Sequence, residues 1–186
     1  MEKRIFVAIK INPDKGFINI YDDFKNQLSS DRIKWVEMEN IHITLKFFGE
    51  TNVNLIPKIS EICKNASNKI NPFSMHLKGI GTFGNANNPK VIWLGISPVE
   101  NLMPLHRQLH AGFENIGFEK DALFKPHLTL GRIKTLQNIN SFENLKQKYQ
   151  ETVIQQFKVT EFHLYESILR PVGPIYKSLE VYNFKK

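Results

Sequence analysis

Two four-residue phrases in this chain have the side chains for acid–base chemistry. Residues 42–45 read His-Ile-Thr-Leu and residues 127–130 read His-Leu-Thr-Leu. Each lies in an apolar, β-branched run, Ile41–Gly49 and Pro126–Arg132. Strand side chains alternate between faces, so His42 and Thr44 share a face, as do His127 and Thr129, while Ile43, Leu45, Leu128 and Leu130 point to a core. If the two strands lie side by side, two imidazoles and two hydroxyls line one groove. That set suits attack at phosphorus, where the attacking and leaving oxygens stand in line on opposite sides. One imidazole takes a proton from water and the other gives one to the leaving oxygen; an ordinary pKa of about 6.5 lets histidine do either near neutrality. The threonine hydroxyls donate to the non-bridging oxygens as charge builds there. One His-x-Thr would say little, because a strand histidine is more often a hydrogen-bonded packing residue. The duplication, with leucine after threonine both times, points to a paired site.

The elements that must position these groups follow from pattern. Strands are expected at Ile5–Ile11, at Ile41–Phe48, at Phe73–Ile80 and Val91–Ile96 around a Gly/Asn-rich turn over Gly81–Pro89, and in the second motif. Two long late strands are expected at Phe157–Tyr165 and Ile175–Tyr182, joined across Pro171–Pro174. Apolar periodicity predicts helices over Ile20–Leu28, Leu55–Ala66 (with Pro57 early, where proline is tolerated), Leu102–Phe113 and Phe142–Tyr149. This order of elements is α+β, and the motif histidines stand about half the chain apart, which suggests two related halves.

The bulk properties narrow the field. A chain of 186 residues with 41% hydrophobic content fits one domain or two small lobes sharing a core. No apolar run approaches the roughly 20 residues that span a bilayer, and the start Met1-Glu2-Lys3-Arg4 lacks a signal peptide's h-region, so no membrane role and a cytoplasmic location are expected. The single cysteine, Cys63, precludes an internal disulfide and falls on the apolar side of its helix. A net charge of +7 suits a polyanionic partner, but the lysines are scattered, which predicts a shallow contact around one site rather than a long duplex-tracking surface. His106 and His110 have a metal-binding spacing, yet Arg107-Gln108-Leu109 between them lacks a zinc-protease glutamate. Ordinary helix-surface or packing roles are expected for both, and structural roles for the lone strand residues His76 and His163. No metal and no cofactor are expected.

The chain resembles the two-histidine (2H) phosphoesterases, and among them the bacterial and archaeal RNA 2′,3′-cyclic phosphodiesterases, also called 2′–5′ RNA ligases. The resemblance runs through Arg4–Ile9, Trp35-Val36 to Gly49-Glu50, Val91–Gly95, Gly117-Phe118 into Phe124-Lys125-Pro126-His127, Val159–Tyr165 and Tyr176. It implies one bilobal domain over residues 1–186. The implied fold has two pseudo-twofold-related lobes, with antiparallel sheets lining a central cleft and helices outside. It implies metal-independent hydrolysis of a 2′,3′-cyclic phosphate, on an RNA 3′ end or a nucleotide, to the 2′-phosphate. In that scheme His42 is the general acid for O3′, His127 is the general base for water, and Thr44 and Thr129 hold the non-bridging oxygens. The residues themselves leave open which histidine has which role. The same site run in reverse would join RNA ends by 2′–5′ ligation. A non-catalytic RNA- or nucleotide-binding module is the remaining alternative, against which stand the intact histidine and threonine of both motifs. Oligomeric state is not legible.

The resemblance also implies that Arg132 contacts phosphate or substrate and that Phe47 meets a base or ribose. Both stand five positions after a motif histidine, which simple alternation puts on the opposite face. They reach the groove only if their strands bend, bulge or end nearby; otherwise Arg132 is a solvated charge and Phe47 a core residue. Phe6 is a third aromatic candidate. Lys46 shares parity with His42 and Thr44, so alternation expects it at the groove's rim.

Overall fold

The computed structural model describes residues 1–85, 88–120, 123–171 and 173–185. The chain forms, in order, β1 (Glu2–Lys10), α1 (Lys15–Gln27), β2 (Arg32–Trp35), β3 (His42–Asn52), α2 (Ile56–Ser67), β4 (Phe73–Asn85), β5 (Asn88–Ser97), α3 (Met103–Asn115), β6 (His127–Thr135), α4 (Ile139–Lys148), β7 (Val153–Val159), β8 (Glu161–Ile168) and β9 (Ile175–Asn183). This is the expected α+β chain. All strand pairings among the described residues are antiparallel and join into one sheet of order β7-β4-β5-β6-β3-β1-β8-β9, with β2 paired to β6.

The order is balanced about the β6–β3 junction. The two motif strands are neighbours, joined through Ile43 opposite Leu128. One lobe is β3, β1, β8 and β9; the other is β6, β5, β4 and β7. The lobes are therefore not the two halves of the sequence: the middle of the chain builds one, and its early and late segments build the other. Helices α1 and α4 pack together, as do α2 and α3. Their apolar stripes, including Phe17, Phe24, Leu109 and Phe113, share one core with Ile5, Val7, Ile9, Leu94 and Leu128. The alternate residues of β1, Phe6 and Ala8, face the other way into a small separate cluster with Tyr165. Helices thus cover one face of the sheet and the cleft occupies the other.

Several element boundaries depart from the sequence reading. Helix α1 starts earlier than Ile20, because Asp14 caps it by accepting the Phe17 N–H. The expected turn over Gly81–Pro89 is mostly strand: β4 runs to Asn85 and β5 begins at Asn88, and residues 86–87 lie outside the described residues. Strand β2 is an addition to the expected elements; four residues with two exposed cations carry little apolar signal. The long strand expected over Phe157–Tyr165 is two strands broken at Thr160. Val159 pairs with Phe73 in one lobe while Glu161 pairs with Asn183 in the other. A one-residue link between distant members of the sheet order forces the sheet to curl until its ends approach. The Thr160 carbonyl accepts from Phe184, and the Phe73 and Phe184 rings stack at 5.7 Å across that closure.

Gly81 is required by a close approach. It sits opposite Trp93, and a Cβ there would overlap the indole ring. Gly81→Ala should destabilise the fold by about 1–3 kcal/mol through overpacking. Thermal melting and tryptophan fluorescence check this; unchanged melting with an unshifted spectrum would contradict it.

Candidate active site

A matching irregularity in both motif strands settles the parity of Phe47 and Arg132. On β3, Ala8 faces Thr44, Val7 faces Lys46 and Phe6 faces Phe47, so Leu45 and Lys46 together oppose Val7. On β6, Trp93 faces Thr129, Ile92 faces Gly131 and Val91 faces Arg132, so Leu130 and Gly131 together oppose Ile92. These are β-bulges, each placing one extra residue on the core side. Beyond each bulge the alternation is reversed. Phe47 and Arg132, at equivalent positions, consequently return to the cleft face. Lys46 does not lie on the rim, contrary to expectation: it is buried, and its Nζ donates to the Glu119 carbonyl at 2.8 Å. The bulged Leu45 carbonyl accepts from His110 Nε2 on α3 at 3.2 Å.

His42, Thr44, Phe47, His127, Thr129 and Arg132 line one cavity of about 750 Å³, within the usual range for a small-ligand site. Each imidazole is fixed in the same way. His42 Nδ1 lies 2.6 Å from the Asn40 carbonyl, and His127 Nδ1 lies 2.7 Å from the Lys125 carbonyl. A carbonyl only accepts, so Nδ1 carries the proton in both rings and Nε2 is the nitrogen available to the cavity. In the neutral ring Nε2 accepts a proton; in the imidazolium it donates one.

Aromatic walls fix ring orientation. His42 lies 5.2 Å from Phe6 and 5.3 Å, edge-on, from Tyr176. His127 lies 4.7 Å, edge-on, from Phe83 and 6.2 Å from Trp93. Burial is the largest cause that holds both imidazole pKa values below their ordinary value. The two carbonyl hydrogen bonds oppose that shift, while Arg132 adds to it at both rings. Arg132 therefore stands within electrostatic reach of both histidines.

Other cavity residues lie outside the two His-x-Thr motifs. Arg4 holds its guanidinium 4.6 Å over the Phe47 ring and 3.8 Å from Glu50. Lys34 and Tyr176 also line the cavity. They belong to no motif and reach the site through strand pairing and sheet curl. Phe6 is buried beneath His42 and packs on Tyr165. His106 stacks between His110 and Phe124 at 3.9 and 3.7 Å, a packing role. His163 contacts Ser178 and Glu161, and Cys63 is buried in the core. Among the described residues, no group of three or more His, Cys, Asp and Glu side chains is placed to hold a metal, and no helix is long and apolar enough to cross a membrane.

Paired imidazoles in a basic cavity, on two equivalent strands of an antiparallel α+β fold, are the arrangement of a phosphoesterase. The family model for LigT like phosphoesterases matches the chain twice, over residues 9–93 and 94–176, one motif in each, and the chain belongs to that family. It is 37% identical over 180 residues to the RNA 2′,3′-cyclic phosphodiesterase of Methanocaldococcus jannaschii, covering 95% of this chain and 98% of that protein. It is 33% identical over 184 residues to the protein of the same name from Methanothermobacter thermautotrophicus, covering 98% and 99%. The crystal structure of TT0787 from Thermus thermophilus superposes with a TM-score of 0.79 at 26% identity, over 97% of each chain.

The depressed imidazoles have a consequence for stability. Below about pH 6.5 the unfolded chain takes up protons that the folded chain refuses. The stability they contribute is complete above that pH and is lost as pH falls through the lower, folded-state values. The melting temperature should therefore decline on acidification below about pH 6.5, and the decline should be shallower in His42→Gln/His127→Gln. An identical pH dependence in the variant would contradict this.

Proposed function

We propose that the chain hydrolyses a 2′,3′-cyclic phosphate, on an RNA 3′ end or a nucleotide, without a metal, and leaves a 2′-phosphate and a free 3′-hydroxyl. We take residues 1–186 as one bilobal domain working in the cytoplasm. The observation that carries the reading is the matched pair of Nε2 atoms. Two imidazoles in the same tautomer, each held by the carbonyl two residues earlier, open onto one cavity with a threonine beside each. Simple binding requires no such acid–base pair. The names of the archaeal relatives supply the substrate class.

In this mechanism neutral His127 takes a proton from water through Nε2 as the water oxygen attacks phosphorus. The P–O3′ bond breaks on the far side, and the His42 imidazolium gives its Nε2 proton to O3′. Attack and departure are in line, so acid and base must come from opposite sides of the phosphate. One histidine from each lobe, both lining one cavity, supports that arrangement. Thr44, Thr129 and the Arg132 guanidinium face the non-bridging oxygens and stabilise their growing charge. Phe47, with Arg4 over its ring, offers a flat surface to the base or ribose. Burial keeps His127 in the neutral form that accepts from water, and it makes the His42 imidazolium, once protonated, a stronger acid toward O3′.

His42→Ala or His127→Ala should each lower turnover of a 2′,3′-cyclic nucleotide by at least about 10²-fold, since each removes one proton transfer. Thr44→Ala and Thr129→Ala should cost less, because each loses a neutral hydrogen bond. A double histidine variant that turns over at the wild-type rate would end the reading.

Activity should survive exhaustive treatment with a chelator, and phosphorus NMR of the product should give the 2′-phosphate alone. Loss of activity restored by one divalent ion would contradict the metal-free mechanism. A pure 3′-phosphate would mean that the acid faces O2′.

A further inference from the structure

Part of the cavity wall is formed where β2 runs beside β6, and that part is cationic. Lys34 faces Arg132 across the ladder, and both line the cavity. One step further out, Arg32 faces Thr135, with Lys134 as the extra residue of a bulge between Arg32 and Ile33. Ile33 and Ile133, between the two steps, face each other on the core side. Alternation therefore puts Arg32, Lys34, Arg132 and Lys134 on the cleft face, and all four are exposed. None of the four is ion-paired among the described residues. The acid next in sequence, Asp31, is turned away and accepts from the backbone N–H groups of Gln137 and Asn138. Four unneutralised cations in a two-by-two ladder repel one another in the free protein. A polyanion lying along them would remove that repulsion.

The lining beyond the end of β2 is different. Glu37 and Glu39 line the cavity in the connection from β2 to β3, toward His42. A phosphodiester chain leaving the cavity is repelled there and attracted along the ladder. Successive cleft-face residues of a strand stand roughly 6.7 Å apart, comparable to the spacing of phosphates along an extended single strand.

We infer that the β2–β6 ladder of Arg32, Lys34, Arg132 and Lys134 is a track for the phosphates upstream of the reacting end, so that the site takes the end of a single-stranded RNA in preference to a cyclic mononucleotide. The inference rests on the hydrolytic reading above for its reaction and adds the substrate's length and direction. Arg132 and Lys34 belong to the cavity and meet the reacting nucleotide and its neighbour. Arg32 and Lys134 lie beyond the cavity and meet only a longer substrate.

The test compares kcat/KM for 2′,3′-cyclic UMP and for a single-stranded RNA of about six nucleotides ending in the same cyclic phosphate. Wild type is set against Arg32→Ala/Lys134→Ala and the charge-preserving Arg32→Lys/Lys134→Arg. Wild type should favour the RNA. The alanine variant should lose roughly tenfold on the RNA at low salt and nothing on cyclic UMP, and the charge-preserving variant should behave as wild type. Fluorescence anisotropy of the same RNA should give a log–log salt slope of about −3 for wild type, shallower by about 1.4 in the alanine variant. Equal losses on both substrates, no loss on either, no wild-type preference for RNA, or an unchanged salt slope would overturn the track. Failure of wild type to open either cyclic phosphate would instead overturn the hydrolytic reading, and the anisotropy series would still decide whether the ladder binds RNA.

Discussion

The cleft depends on how little β3 and β6 touch. Their pairing rests on Ile43 opposite Leu128, after which the strands part and β2 takes β3's place beside β6. A full ladder would have packed the two motif strands at uniform sheet spacing, with histidines and threonines crowded into one flat surface. Because the strands diverge, the two lobes splay and leave a cavity with one imidazole on each wall. The apolar residues at the junction, Ile43, Leu128, Leu45 and Leu130, are wholly buried on the other face. Hydrophobic packing beneath the sheet thus holds a polar opening above it.

The bulges complete what the junction begins. Each adds one residue on the core side and reverses the alternation, so a single strand delivers three cleft residues at positions one, three and six of the motif. An unbulged strand would have sent Phe47 and Arg132 into the core, where a guanidinium would face a heavy desolvation penalty. The β3 bulge is secured from behind by His110 at the Leu45 carbonyl and by Lys46 at Glu119. These contacts give the buried polar groups partners and keep α3 in register with the motif strand.

What was legible in the chain was the local pattern. His42, Thr44, His127 and Thr129 could be placed on shared faces because strand alternation is rigid over three residues. The four helices could be read from apolar periodicity, within a few residues at their ends. Alternation failed just where the backbone departs from a regular strand. It put Lys46 on the rim, and it left Phe47 and Arg132 unresolved, because a bulge has no strong residue signature at Leu45-Lys46. The break at Thr160 was equally silent, since apolar content continues on both sides. Arg4, Lys34, Phe83 and Tyr176 stand near the motif residues only through long-range pairing, and the sequence alone does not specify which strands become neighbours.

The interleaved lobes impose an order of assembly. β1, which carries Phe6, and β9, which carries Tyr176, lie at opposite ends of the chain, yet both rings rest against His42. The lobe holding the first motif is therefore incomplete until β8 and β9 have been synthesised and have paired with β1. The other lobe, apart from the short β2 laid beside β6, is built from one continuous stretch of chain, β4 to β7, which closes when Val159 of β7 pairs with Phe73 of β4. On a ribosome the middle of the chain can settle first, while β1 and β3 wait for their late partners. During that interval His42 lacks the wall that orients it, so a nascent chain carries both motifs without a working pair. The walls around His42 are then completed in one late step, when the final strands seat.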